Sequence, residues 1–213
     1  MSYAMGVTKV PAEVKKDVKT EQEWTLIEKK QTHSIYFGEM RKTKDKALLV
    51  RMECQLGKAT PEEVFQVLSD NKYLSEKGLF EMKAQDFCDT AQNETQLRLI
   101  SSIFHFKPRE AVVSLKREIN EDKSICAATI ISIENEEVHQ GNIKVCFRPS
   151  SVVASKVNEV SNVSTIAVIN MDMQAGWVPK NAFGNHILKR ISRQIISNFV
   201  ASVNGYQRWK NAK

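Results

Sequence analysis

The sequence predicts an α+β protein of one domain, in which a highly curved antiparallel sheet of about nine strands wraps around one long C-terminal helix. Three observations lead to this fold class. Residues 179–206 keep one apolar face at the helical period, most of residues 33–173 divide into short strand-like segments, and the links between those segments are short and polar. Short links favour antiparallel hairpins, because parallel strands need crossover connections of a dozen residues or more.

The long helix is predicted from apolar side chains that recur at spacings of three and four. These side chains are Phe183, Ile187, Leu188, Ile191, Ile195, Phe199, Val203 and Tyr206. A sharp turn precedes the helix at residues 176–179, and Pro179 suits a first helical position because its missing N–H would have no partner there. About 30 residues at 1.5 Å each give a length of roughly 45 Å, so the helix can cross the whole domain.

Two shorter helices are predicted earlier in the chain. Residues 1–18 hold a tail and the start of an N-terminal helix that covers 11–30, and the domain itself spans 19–213. A second helix starts at Thr60, whose hydroxyl can cap the amide of Glu63 while the Glu63 side chain reaches back to Thr60. Residues 71–78 are either a loop or a further short helix.

The strands are predicted from alternation of apolar and polar residues. The clearest case is the segment 47–56, where Val50, Met52, Cys54 and Leu56 alternate with polar side chains. The predicted strands are 33–40, 47–56, 80–87, 95–104, 110–119, 124–134, 142–148, 152–159 and 163–173. Nine strands against one helix leave more concave surface than side chains can fill, so part of that volume is predicted to be a cavity.

Composition is ordinary for a globular domain, with 42% hydrophobic and 26% charged residues among 213. The net charge of +6 favours attraction to anionic surfaces. The four cysteines form no C-x-x-C pair and are interpreted as free thiols in a reducing compartment. No secretory signal and no apolar run of 18 residues are found, so a cytoplasmic protein that is peripheral to membranes is expected.

Two motifs resemble those of the START family, the steroidogenic-acute-regulatory-related lipid-transfer domains. Lys107-Pro108-Arg109-Glu110 and the following apolar residues look like the Pro-Arg-Asp motif at the start of a family strand. The segment 172–180, with Asp172, Gly176 and Pro179, is similar to the turn that leads into the family's lid helix. Three residues separate Asp172 from Gly176, which looks more like the phosphatidylcholine-transfer branch than the sterol branch.

The resemblance implies the helix-grip fold and a hydrophobic tunnel that holds one lipid, with the long helix as its lid. A structural role is expected for Arg109 and for Asp172, which would cap the turn or the start of the lid helix through backbone amides, and the residues 176–179 are the predicted hinge of the lid. Each predicted lining residue either touches the lipid or is plain core. The set is Met52, Cys54, Leu97, Leu99, Val113, Leu115, Thr129, Ile131, Ala167, Ile169, Met171, Phe183, Ile187, Leu188, Ile191, Ile195 and Phe199.

Candidates for contact with a lipid head group are Arg98, Arg51 and Asn170, followed by Ser101 and His105. Many family members carry an inward arginine six residues after the arginine of the first motif, and this chain has Leu115 there. Cations along the last helix, including Lys189, Arg190 and Arg193, are either a solvated face or a surface that docks on anionic membranes.

No catalytic site is predicted. The four histidines show no metal-ligand spacing, and neither a G-x-S-x-G segment nor a phosphate-binding glycine loop occurs. The sequence therefore predicts a monomeric, cofactor-free lipid carrier that does not bind nucleic acid. The alternatives are a carrier or sensor of a sterol or other small apolar ligand, and a helix-grip enzyme that uses the same cavity.

Overall fold

The computed structural model describes residues 24–38, 47–78, 82–101, 107–134, 136–160, 163–174 and 182–212. Within these residues, eleven strands form one sheet in the order β1-β2-β3-β11-β10-β7-β6-β5-β4, with β8 beside β6 and β9 beside β11. All strand pairs are antiparallel except β6 with β8. The helices are α1 (Pro61–Ser69), α2 (Asn71–Lys77) and the long C-terminal α3 (Ala182–Asn211).

Most of the predicted strands begin and end within a few residues of the observed strands. The strands are β1 Trp24–Lys29, β2 His33–Gly38, β3 Ala47–Gln55, β4 Lys83–Ala91, β5 Glu94–Ser101, β6 Arg109–Ile119, β7 Ile125–Ser132, β8 Ile143–Lys144, β9 Cys146–Phe147, β10 Ser150–Val160 and β11 Val163–Gln174. The predicted fold class, a large antiparallel sheet with a long C-terminal helix, is confirmed.

Helix α1 begins as its sequence motif predicts. The amide of Glu63 donates to Thr60 Oγ1 at 3.2 Å, and the Thr60 amide donates to Glu63 Oε2 at 2.8 Å. Asp70 then ends α1 and starts α2, since its Oδ1 accepts from the Tyr73 amide at 2.9 Å. The segment 71–78, left open between a loop and a helix, is thus a short helix.

The helices cover one face of the sheet. Helix α1 packs on β6, β7 and β10, and α3 packs on β2, β3 and α1. Alternate residues of β3, β5, β6, β7, β10 and β11 point to this covered face and join the side chains of α3 in one hydrophobic core. We call it the inner face and the opposite side the outer face.

Two of the predicted elements differ from the structure. Residues 24–29, assigned to the end of an N-terminal helix, form the edge strand β1, because they pair along β2; residues 11–23 lie outside the described part. The predicted strand 142–148 is divided into the two-residue strands β8 and β9, since its halves pair with different partners, β6 and β11.

Candidate functional site: the inner face and the helix above it

The inner face is apolar and closed to solvent. Nine of the predicted lining residues lie on it and are at most 4% exposed: Met52, Cys54, Leu97, Leu99, Val113, Leu115, Ala167, Ile169 and Met171. They come from β3, β5, β6 and β11, and the antiparallel register sets Met52 beside Ile169 and Leu97 beside Val113. The sequence therefore identified the correct face of four strands.

Strand β7 has the opposite phase from the prediction. Thr129 and Ile131 point to the outer face, and Ile131 is 43% exposed. Ala128 and Ile130 point inward instead, with Ile130 paired to the inward Leu115. The prediction that Thr129 and Ile131 face the interior is wrong, because a mostly apolar strand gives no alternation from which its phase could be determined.

The predicted apolar stripe of α3 packs against this face. Leu188, Ile195 and Phe199 are buried, and Ile187 and Ile191 are half-buried. Ile196 and Val203 join them in the core. The side chain of Phe183 and the turn with Gly176 and Pro179 lie outside the described residues, so their roles stay predictions.

One transverse row of the inner face carries small side chains where it crosses the four strands β3, β11, β10 and β7. The strand register aligns Cys54, Ala167, Ala154 and Cys126 across β3, β11, β10 and β7. Helix α1 packs on β7 and β10, where short side chains permit close approach. Burial raises the pKa of the Cys54 and Cys126 thiols to about 12, so both stay protonated and unreactive at neutral pH.

A buried arginine on the inner face was missed by the sequence reasoning. Arg117 donates from Nη1 to the Leu68 carbonyl at 3.0 Å and from Nη2 to Thr95 Oγ1 at 2.7 Å. Leu68 is in the last turn of α1, so the cation holds the carbonyl end of that helix to β6. The sequence signal that could have placed Arg117 on the inner face is its position two residues after Leu115, on the same side of the strand.

The predicted head-group residues Arg51, Arg98 and Asn170 all lie on the outer face. Arg51 bonds Glu53 at 2.8 Å, and Arg98 bonds Asp86 at 3.0 Å. Asn170 donates to Ser151 Oγ at 3.4 Å. Head-group contact by these three stays a prediction, and their placement away from the covered face does not support it.

Two more predicted polar residues mark one end of β5. Ser101 is buried on the inner face, opposite the half-buried Arg109 of β6, and its hydroxyl has no hydrogen-bond partner among the described residues. His105 lies outside the described residues. Ser101 is therefore the predicted polar residue whose position best suits contact with a ligand.

The glutamate of the first motif has a structural role on the outer face. Glu110 is fully buried and accepts hydrogen bonds from Arg98, from Asn142 Nδ2 at 2.5 Å and from the His139 amide at 3.1 Å. Burial alone would raise the pKa of Glu110, but these bonds outweigh it and lower the pKa to about 2. The carboxylate thereby fixes residues 139–142 against the sheet.

Asp172, predicted to cap the turn before α3, is held through its backbone. Its amide donates to Ser150 Oγ at 2.9 Å, and its carbonyl accepts from the Arg148 amide at 2.9 Å. Burial raises the pKa of its carboxyl group, and Oδ1 has no partner among the described residues. The turn lies outside those residues, so the capping role stays a prediction.

A second carboxylate joins the edge of the sheet to α3. Glu28 of β1 accepts from Arg193 Nε at 2.7 Å, from Lys189 Nζ at 2.8 Å and from His33 Nε2 at 3.1 Å, and Lys30 Nζ is 3.7 Å away. Hydrogen bonding to Arg193 lowers the pKa of Glu28 far below its ordinary range, against the opposing effect of burial. We call these five residues the clamp.

The described part of the chain contains neither a metal-binding cluster nor a membrane-spanning helix. No group of three or more His, Cys, Asp or Glu side chains is arranged there to hold a metal ion. No helix in those residues has the length and apolar character needed to cross a bilayer.

Sequence comparisons found no match among family models, and no curated protein is significantly similar to the chain. Solved structures do match. Human StAR-related lipid transfer protein 5 is 13% identical with a TM-score of 0.67, covering 86% of this chain and 88% of that one. Human STARD10 is 9% identical with a TM-score of 0.69, over 89% and 76% of the two chains.

A bacterial structure matches as well. The STAR-related lipid transfer protein from Xanthomonas axonopodis is 14% identical with a TM-score of 0.61, covering 85% of this chain and 98% of that one. At such low identity the likeness concerns architecture. The chain has the helix-grip fold of StAR-related lipid transfer domains.

Proposed function

We propose that the protein binds one lipid between the inner face and α3 and carries it between membranes. The observation that carries this proposal is the continuous apolar inner face, which α3 covers at β2 and β3 and α1 covers at β6, β7 and β10. The fold, shared with domains named for lipid transfer, supports it. A phospholipid is the proposed cargo, because the three-residue spacing between Asp172 and Gly176 resembles that of the phosphatidylcholine-transfer branch of the START family.

Enclosure of an apolar molecule is the step that a carrier must perform. A lipid tail in water costs about 25 cal/mol for each Å² of apolar surface. The inner face offers only hydrocarbon, thiol and methylthio groups along β3 and β11, from Val50 through Cys54 and from Ala167 through Met171. Such a surface binds acyl chains without selecting a particular chain by hydrogen bonding.

The chemistry of the inner face supports a carrier over an enzyme. Its thiols are protonated, and Arg117 is occupied by Leu68 and Thr95. Glu28 and His33 lie at the β1–β2 edge and are bonded to each other, and Glu28 is also bonded to α3. No described group on the inner face is both unpaired and able to accept a proton at neutral pH in the way a general base must.

Two buried hydroxyls suit the polar parts of a ligand. Ser101 Oγ and Thr165 Oγ1 are both on the inner face and neither has a hydrogen-bond partner among the described residues. A buried unpaired hydroxyl costs about 1–3 kcal/mol, which a ligand oxygen would offset.

Transfer of fluorescent phosphatidylcholine between donor and acceptor vesicles tests the proposal. We expect transfer faster than a buffer blank without ATP or added metal, and one lipid mass per chain in native mass spectrometry. Transfer of a sterol but not of phosphatidylcholine would identify the cargo as a sterol. Transfer of neither lipid would refute the carrier function.

Adjacent valines on β6 give a matched pair of variants. Val113→Trp adds volume on the inner face, whereas Val112→Trp adds the same volume on the outer face. Overpacking costs about 1–3 kcal/mol, so we expect Val113→Trp to lower lipid loading about tenfold and Val112→Trp to leave it unchanged. Circular dichroism would verify that both variants fold.

A further inference from the structure

Two segments of the chain have two adjacent basic residues followed, after one further residue, by a hydroxyl side chain. They are Lys29-Lys30-Gln31-Thr32 and Lys189-Arg190-Ile191-Ser192, and no third segment of the sequence has this pattern. Basophilic protein kinases select such a serine or threonine, because acidic residues in their substrate cleft pair with the two preceding cations. The sequence alone does not choose between the two hydroxyls.

The structure separates the two segments by exposure. Ser192 lies inside α3 and is 3% exposed, so a kinase reaches its hydroxyl only if the helix unfolds. Thr32 is exposed, as are the two lysines before it, and lies in the two-residue turn between β1 and β2. The bond from the Lys30 amide to the His33 carbonyl, at 2.8 Å, closes that turn, and β1 is at the edge of the sheet. Thr32 is therefore the accessible hydroxyl of the two.

A short chain of contacts joins Thr32 to the clamp. Its Oγ1 is 3.2 Å from His33 Nδ1, and His33 Nε2 is 3.1 Å from Glu28 Oε1. Lys30 Nζ is 3.7 Å from the same carboxylate oxygen. A group attached to the Thr32 hydroxyl would thus begin beside the clamp.

The clamp contains more positive than negative charge. Lys30, Lys189 and Arg193 are all paired with the single carboxylate of Glu28, so three positive charges and one negative charge leave a net charge of +2 before any contribution from His33. A phosphothreonine carries a charge of about −1.5 to −2 at pH 7 and three strong acceptor oxygens. One phosphate would therefore balance the excess charge of the clamp.

We propose that Thr32 is a phosphorylation site for a basophilic protein kinase, and that the clamp holds the phosphate once it is attached. Thr32 Oγ1 attacks the γ-phosphorus of ATP, the bond from that phosphorus to the β-phosphate oxygen breaks, ADP leaves, and the hydroxyl proton passes to the base of the kinase. The phosphate strengthens the contact between β1 and α3, because it neutralises the excess positive charge there. The proposal does not rest on the carrier function.

Phosphate transfer from labelled ATP tests the site, with the catalytic subunit of cAMP-dependent protein kinase as the probe. Mass spectrometry of tryptic peptides should find the phosphate on Thr32 and none on Ser192. Thr32→Ala should abolish incorporation, and Ser192→Ala should leave it unchanged. Lys29→Gln should slow incorporation about tenfold, because it removes one charged contact with the kinase. Lys72→Gln, at an exposed position of α2, makes the same change in charge and should keep the wild-type rate.

Thermal unfolding tests whether the clamp holds the phosphate. We expect the phosphorylated chain to unfold about 2–4 °C above the unmodified chain at low salt. The increase should disappear in about 1 M salt, where the Debye length is about 3 Å. Lys189→Gln takes one cation from the clamp and should remove most of the increase, whereas Lys72→Gln should retain it.

Several outcomes would overturn the proposal. Phosphate on Ser192, or incorporation that persists in Thr32→Ala, would show that the accessible turn is not the site. The absence of incorporation into the wild-type chain would show the same, if a control peptide is phosphorylated in the same mixture. Equal melting temperatures with and without phosphate would mean that the clamp does not hold it. A failure of lipid transfer would bear on the carrier function alone.

Discussion

The two ends of α3 are held by different kinds of interaction. Near its beginning, Lys189 and Arg193 are tied to Glu28 by ion pairs at the edge of the sheet. Near its end, Tyr206 and Trp209 pack edge-on against Tyr73 of α2, with ring centroids 5.0 and 4.8 Å apart. We call Tyr73, Tyr206 and Trp209 the aromatic anchor.

Hydrogen bonds complete the aromatic anchor. Tyr73 Oη donates to the Ser202 carbonyl at 2.7 Å, and Tyr206 Oη donates to Asp70 Oδ2 at 3.0 Å. Ion pairs between partly exposed groups weaken with salt and with competing anions, whereas buried aromatic area does not. The end of α3 is therefore held by contacts that do not depend on salt, whereas the ion pairs near its beginning, next to the buried Leu188 and Ile195, weaken with salt.

The largest expected effect comes from removing the anchor. Tyr206 is buried, and truncation of a buried aromatic side chain costs about 3–5 kcal/mol. We expect Tyr206→Ala to lower the free energy of unfolding by that amount in urea denaturation, with no dependence on salt. A loss below about 1 kcal/mol would show that the anchor contributes little and would remove the contrast between the two ends.

Loss of the clamp should have an intermediate effect that depends on pH. Glu28→Gln removes hydrogen bonds between charged groups, which contribute about 2 kcal/mol at neutral pH. The pKa of Glu28 is lowered in the folded state by Arg193, so its contribution is complete above its unfolded value and is lost as pH falls toward the folded value.

The measurement compares urea midpoints of the wild type and Glu28→Gln at pH 7 and pH 3. Glu110 also titrates in acid, since its pKa is lowered to about 2, but its contribution is common to both proteins. We expect the wild type to lose more stability than the variant between the two pH values. Equal losses would contradict the ionic character of the clamp.

Elements that depend on nearby residues could be predicted from the sequence. The capping box joins Thr60 and Glu63, which are three positions apart, and the apolar stripe of α3 repeats within one helix. The inner face of β3 followed from its strict alternation. In each case one physical preference, a cap or a period, is sufficient to determine the local structure.

Features that depend on distant partners could not be predicted. The clamp joins Glu28 to Arg193, 165 residues apart in sequence, and β1 is a strand only because β2 pairs with it. Two of the donors to Glu110, His139 and Asn142, come from a loop about 30 residues away. Nothing in the local sequence indicates such partners, so the sequence predicted which strand residues are buried on the inner face more completely than it predicted the polar contacts.

The smallest expected effect comes from a change in the aromatic anchor that removes the Tyr206 hydroxyl and keeps its ring. Tyr206→Phe keeps the aromatic contacts with Tyr73 and Trp209 and removes only the hydrogen bond to Asp70, which contributes about 1 kcal/mol. Burial, together with the bond to Asp70, raises the pKa of Tyr206 to about 12. A raised pKa means that the folded state holds the proton more tightly than the unfolded chain does.

The hydroxyl's contribution is therefore complete below the unfolded pKa of about 10 and is lost as pH rises from there to about 12. Because burial also raises the pKa of Tyr73, the wild type and the variant both lose stability in alkali, and their difference reports Tyr206. In urea unfolding at pH 8 and pH 11, we expect the wild type to lose more stability than Tyr206→Phe. The clamp would then lose its contribution to stability in acid, and the aromatic anchor would lose part of its contribution in alkali. If the stability of the two proteins falls equally between pH 8 and pH 11, the Tyr206 hydroxyl is not held as the geometry indicates.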